Sequence, residues 1–207
     1  MVSRKLIFFI FPILFFGFLS DSSAVTVYNE SISGDFSGSG FTLTNVIVSA
    51  GSNDIFGTTG RAASGVPDVD YFTINVPSGL ALRSIFVLPG TLGGGTGVSF
   101  IGIQAGNQVT VPTNAVNAAG LLGYHLYGAA EINTDILPAI GTAGNSSTGF
   151  VPPLGPGNYA FWIQEGATGI FPYGFGLLLA QVPEPAAFPM VILGLAALAT
   201  MRRLWRN

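Results

Sequence analysis

Apolar and polar residues alternate most strictly where the chain reads Asp68-Val69-Asp70-Tyr71-Phe72-Thr73-Ile74-Asn75-Val76. Successive side chains of an extended chain point to opposite sides, so Phe72, Ile74 and Val76 share one face and Tyr71, Thr73 and Asn75 the other. Pro77-Ser78-Gly79 supplies a turn, and residues 80–88 predict a second strand. Leu80 and Leu82 point inward there, followed after a bulge by Ile85 and Val87. The same reasoning predicts strands over residues 25–32, 41–49, 98–104, 108–111, 121–127, 159–164 and 173–180. Gly, Ser and Pro punctuate the rest: residues 33–40 read as a turn, 50–67 as a long surface loop, and 133–149 and 153–158 as turn-rich. No stretch between residues 25 and 181 keeps a 3.6-residue apolar period over ten residues. The expected class is all-β, a β-sandwich or jelly-roll-like exported domain.

Alternation fails at both ends of the chain, where apolar residues run together. Near the start, Arg4 and Lys5 precede an apolar stretch over residues 6–19, and Ser22-Ser23-Ala24 offers the small residues a signal peptidase reads. Residues 1–24 therefore predict a signal peptide, cut between Ala24 and Val25 after passage through the secretion translocon. At the other end, Val182-Pro183-Glu184-Pro185 leads into residues 186–201, which carry no charge, and then to Arg202, Arg203 and Arg206. As a helix that apolar run spans roughly 24 Å. Leu204, Trp205 and snorkelling arginines extend it toward the hydrocarbon thickness of about 30 Å. A single transmembrane helix is expected, with its arginines cytoplasmic and everything before Pro183 outside.

The order of motif, apolar run and basic cluster resembles the PEP-CTERM sorting signal of Gram-negative bacteria, over residues 182–207. The resemblance implies recognition and cleavage by a membrane-embedded exosortase, transient anchoring in the inner membrane, and delivery to the cell surface or extracellular matrix. It also implies association with exopolysaccharide or biofilm. Within residues 25–181, Asp-x-Asp-Tyr-Phe-x-Ile-x-Val with its Pro-x-Gly turn, and later Pro-x-Gly-x-Tyr-x-Phe-x-Ile with a closing Tyr-x-Phe strand, resemble the pre-peptidase C-terminal (PPC) type of β-sandwich. Modules of that type are non-catalytic, and some bind Ca²⁺ or extracellular polymers. Residues 106–149 depart from the pattern.

Between the two targeting segments lie eight acids (Glu30, Asp35, Asp54, Asp68, Asp70, Glu131, Asp135, Glu165) and two bases, Arg61 and Arg83, a formal charge of −6. Such a surface disfavours nucleic acid as a partner. Cysteine is absent, which excludes thiol nucleophiles, cysteine zinc sites and disulfides. Gly93-Gly94-Gly95 is not followed by a helical pattern that could bind phosphate.

Few residues offer chemistry. Asp68 and Asp70, joined by Asp54 or Asn53 from the expected loop, would give oxygen ligands to Ca²⁺. The simpler reading has Asp68 capping a turn and Asp70 solvated at a strand edge. His125, the only histidine, is followed by Glu131 and Asp135 but by no Gly-x-Ser-x-Gly nucleophile motif. Trp162 lies on the parity opposite Tyr159, Phe161 and Ile163. If those three fill the core, Trp162 is exposed and becomes the candidate glycan contact; if Trp162 is buried, the idea fails. The leading expectation is a non-enzymatic surface protein. The alternatives are a secreted hydrolase centred on His125 and a self-associating adhesin.

Overall fold

The computed structural model describes residues 23–95 and 97–182. The segment expected to be a signal peptide, apart from its last two residues, and the expected sorting signal after Val182 lie outside the described residues. Among the described residues no helix is long and apolar enough to cross a membrane.

The chain is all-β. The strands are β1 (Val25–Asn29), β2 (Thr44–Val46), β3 (Gly51–Arg61), β4 (Pro67–Val76), β5 (Leu80–Val87), β6 (Ser99–Ala105), β7 (Gly123–Tyr127), β8 (Gly157–Gln164) and β9 (Gly169–Gln181). Two one-turn helices, α1 (Glu30–Ser33) and α2 (Leu137–Ile140), interrupt them. The sheet runs β5-β9-β3-β4-β8-β6-β7, with antiparallel ladders throughout this path. It folds back on itself between β3 and β4, which share only the pairs Gly60–Asp68 and Arg61–Pro67. The segment after β7 runs beside β5, through bridges Val87–Ile132, Phe86–Asp135 and Leu82–Leu154, and nearly closes the sheet.

Inward residues of both halves fill one core. Ile55, Leu82, Ile85, Val87, Phe175 and Leu177 come from one half, and Phe72, Ile74, Ile101, Ile103, Phe161 and Ile163 from the other. Phe72 stacks on Phe161, its register partner, at 4.7 Å, and Tyr127 meets Phe175 edge-on at 4.9 Å across the interior. Each such fully buried side chain contributes about 1.5–3 kcal/mol. The alternation read in β4 and β5 is present, including the bulge, which falls between Leu82 and Ser84.

Three expectations need correction. Residues 50–67 are not a loop: β3 is an eleven-residue strand and pairs with β9 along Gly51–Gly60. Its inward side is Asn53, Ile55, Gly57 and Thr59, so the core face carries polar and small groups in place of a hydrophobic alternation. Asn53 is tolerated inside because its Nδ2 donates to the carbonyls of Ser49, Gly51 and Leu177 while its Oδ1 accepts from the Ser49 N–H. Residues 108–111 form no strand; they lie as extended coil over the outer face of β4, β8 and β6. Val109, Val111, Ala118 and Leu121 there bury Tyr71 and Trp162 in a second, smaller core. The strands expected over 25–32 and 41–49 shorten to β1 and β2. Asn29 ends the first by capping α1, its Oδ1 accepting from the Ser31 N–H.

Candidate metal centre

The point where β3 and β4 part defines the site. Along its edge away from β9, β3 pairs with β1 as far as Phe56 and with β4 only from Gly60. In the gap Thr58 has neither partner strand, and the Oε2 of Glu30 accepts its N–H at 2.7 Å. The other Glu30 oxygen accepts the Phe36 N–H at 3.1 Å. A carboxylate at the start of α1 thus stands in for the missing strand and draws residues 30–36 into the fork. Phe36 is buried there, stacked under Tyr28 at 4.2 Å and tilted against Phe72.

Asp70 enters the fork from β4. It shares parity with Phe72, Ile74 and Val76, so it points to the interior, and its exposure is 0%. Its Oδ2 accepts the phenol of Tyr173 on β9 at 2.8 Å, while its Oδ1 is buried with no hydrogen-bond partner. Tyr173 crosses β3 to reach it over Gly57, where a Cβ would lie 2.5 Å from the phenol oxygen. Asp35, exposed at the rim, completes the group. One carboxylate oxygen each from Glu30, Asp35 and Asp70 lies within 4.8 Å of the others.

Among the described residues no Lys or Arg side chain pairs with these carboxyl groups. Arg61 donates to the carbonyls of Gly65 and Gly166, and Arg83 to that of Gln181. The one contact between a basic and an acidic side chain among the described residues is His125 Nε2 with Glu131 Oε1, at 2.7 Å. Burial, with the neighbouring Glu30 charge, pushes Asp70 up to about 9 against the opposing pull of the Tyr173 hydrogen bond. Burial also raises Glu30 to about 7, opposed by the Phe36 and Thr58 donors and reinforced by Asp35. Asp68 is raised by burial and by Asp35. The phenols of Tyr28 and Tyr173 rise through burial and through the same carboxylates.

Beside Glu30 and Asp35 opens a cleft of about 570 Å³, lined by both acids with Asn29, Ser31, Phe56, Thr58, Pro89, Pro172 and Tyr173; Asp70 lies behind this lining. Phe56 lies over Gly174, where a Cβ would come within 2.9 Å of the ring.

The sequence-predicted candidates divide. Asp70 belongs to the site, but its partners are Glu30 and Asp35, and it is buried rather than solvated at a strand edge. Asp68 contributes charge from the same strand face without joining the converged trio. Asn53 and Asp54 stand on β3 and supply no ligand; Asp54 accepts from Ser52. Trp162 is 6% exposed, stacked near Tyr71 and packed on Phe100, with its Nε1 donating to Gln164, so the exposure that glycan contact required is missing. His125 sits on β7 with Glu131 as its hydrogen-bond partner, and no hydroxyl among the described residues bonds to its ring. Ala24 is exposed and Val25 begins β1, and Val182 is the last residue described.

Comparison with protein-family models, with curated proteins and with solved structures gives no match for this chain.

Proposed function

We propose that this chain is a non-enzymatic exported protein, sorted by an exosortase to the cell surface or extracellular matrix, whose folded part binds a calcium-sized divalent cation between Glu30, Asp35 and Asp70. The carrying observation is the buried, unpartnered Oδ1 of Asp70 beside two further carboxylates. An isolated buried anion is costly, and three in one fork repel. A cation ligated by 6–8 oxygens at 2.3–2.6 Å removes both penalties and is compatible with oxygens within 4.8 Å of one another. Glu30, Asp35 and Asp70 would hold it, and the open cleft would admit water to the remaining positions. Bound there, the ion supplies positive charge that ties α1 to β4.

The sorting reading rests on the motif Pro183-Glu184-Pro185, the apolar run and Arg202, Arg203 and Arg206. The folded part reaches that motif without a spacer, since β9 ends at Gln181 and the Val182 N–H still bonds to the Gly79 carbonyl. A PPC-like β-sandwich is the finer description that fits two sheet halves around one core. The membrane, the signal peptidase and the exosortase are the partners this reading assigns.

The cation is tested by titrating CaCl₂ into the full-length chain in detergent, with MgCl₂ as the comparison. Calcium should bind with a dissociation constant of about 10⁻⁴–10⁻³ M, the range of extracellular modules, and raise the unfolding temperature. Asp70→Asn and Asp35→Asn should fold and lose that response. No heat and no thermal shift with either metal at pH 8 would refute the site. Sorting is tested separately by replacing Pro183, Glu184 and Pro185 with Ala: the chain should keep its tail and stay with the membrane fraction. Unchanged tail removal and surface delivery would count against it.

A further inference from the structure

We infer that the cleft beside Glu30 and Asp35 takes a neutral sugar, whose adjacent hydroxyl pair completes the cation's coordination while its C–H face lies on Phe56. The inference rests on the cation reading and adds the ligand class.

Three carboxylates supply only part of a six- to eight-oxygen shell. The uncommitted side of the ion faces the cleft, because Asp35 is exposed and both Glu30 and Asp35 line that opening. Its volume of about 570 Å³ is within the range of small-ligand sites, roughly 300–1,000 Å³. The walls are of two kinds. Phe56, Pro89 and Pro172 are apolar, and Gly174 beneath Phe56 lets the ring lie close against β9. Asn29, Ser31 and Thr58 are polar and neutral. A pyranose has the matching halves, an apolar C–H face and a ring of hydroxyls.

Charge decides between neutral and acidic sugars. The cleft lining includes no Lys or Arg, and three carboxylates exceed the charge of one divalent ion. An added uronate would meet net negative charge. A hydroxyl pair does not: each oxygen would ligate the ion through a lone pair while its O–H donates a hydrogen bond to a neighbouring carboxylate. The arrangement therefore selects diols over anions.

The test uses the full-length chain in a zwitterionic detergent, which carries no sugar headgroup. Saturation-transfer NMR is run on a panel of neutral methyl glycosides and on oligogalacturonate, with CaCl₂ and then with EDTA. Neutral glycosides should give signals in calcium that vanish in EDTA, and oligogalacturonate should give weaker ones. Phe56→Leu should reduce the neutral signal several-fold while leaving the calcium isotherm unchanged. A normal calcium isotherm without signal from any neutral sugar would overturn the inference and leave the cation site standing. So would signals indifferent to EDTA, or a preference for oligogalacturonate. Absence of a calcium isotherm would remove the cation reading, and the sugar with it.

Discussion

Among the described residues two acids are buried, and their surroundings differ. Glu165, 8% exposed at the end of β8, has both oxygens satisfied: Oε2 accepts from the Ser99 hydroxyl at 2.9 Å and Oε1 from the Ala167 N–H at 2.7 Å. Gly94 packs directly on that carboxylate, where any Cβ would collide with it, so the triple-glycine loop is shaped to close over an acid. Asp70 is more deeply buried, keeps one oxygen without a partner, and stands within 4.8 Å of two more carboxylates, which line a cleft open to solvent. The first acid is completed by the protein. The second is completed only by something that arrives, either protons or a cation. Burial alone does not separate a structural carboxylate from a binding one; the count of unmet oxygens does.

The sharpest way to expose this difference is pH. Without metal, the folded-state values of Asp70 and Glu30 stand above their unfolded ones, so the native state holds protons that the unfolded chain has lost. Their contribution to stability is complete below about pH 4. It is lost as pH rises through about 7 for Glu30 and about 9 for Asp70. In EDTA, stability should fall across that window with a slope of up to about 1.4 kcal/mol per pH unit from Asp70. Asp70→Asn should flatten the slope, while Glu165→Gln should leave it unchanged. Urea unfolding at a series of pH values measures this; equal slopes in wild type and Asp70→Asn would refute it. Next in size is Gly57→Ala. The new methyl group would strike the Tyr173 phenol and part it from Asp70, costing about 1–3 kcal/mol and weakening calcium binding. A variant with wild-type stability and calcium affinity would mean the phenol is not held where its contact with Asp70 requires.

How much of this was legible follows from what each strand places on its inner side. β4, β5 and β8 alternate apolar with polar or outward residues, and the period-two reading finds them. β3 puts Asn53, Gly57 and Thr59 inside, and its composition reads as loop. What makes it a strand is the ten-residue ladder with β9, a partner more than a hundred residues away. The burial of Trp162 was hidden in the same manner, because the covering layer of residues 109–121 is coil with no period of its own. One of the three carboxylates of the candidate metal centre was readable. Asp70 has the parity of Phe72, Ile74 and Val76, and an acid on a core-facing parity is a signal in itself. Glu30 and Asp35 come from a helical turn and a loop forty and thirty-five residues upstream. No spacing rule joins them to β4; the parting of β3 and β4 does.

The third prediction turns the two acids against each other through amide substitution. A glutamine at 165 can still accept from Ala167 and meet the Ser99 hydroxyl, so Glu165→Gln should cost no more than about 1 kcal/mol at any pH. Asp70→Asn should instead stabilise the metal-free chain at pH 8, because folding then no longer has to reprotonate a buried carboxyl that is ionised in the unfolded chain. Opposite signs from the same chemical change would place the two carboxylates in different roles; destabilisation of both would make the Asp70 group an ordinary structural cluster.

The smallest effect is expected at Glu131, whose carboxylate meets the imidazole of His125. His125 and Glu131 are each about a quarter exposed and meet across the turn that follows β7. Partly solvated pairs of this kind contribute about 0–1 kcal/mol. His125→Ala should therefore shift stability by less than about 1 kcal/mol, and calcium binding should not change, since the pair is remote in the sheet order from the β3–β4 fork. The same variant decides the catalytic alternative. A histidine acting as general base needs a nucleophile within hydrogen-bond reach, and this one is engaged with a carboxylate alone. Across a panel of esters and glycosides, wild type and His125→Ala should give the same background rates. A turnover that disappears with the imidazole while the fold and the calcium response survive would move the chemistry of this protein from the fork to β7.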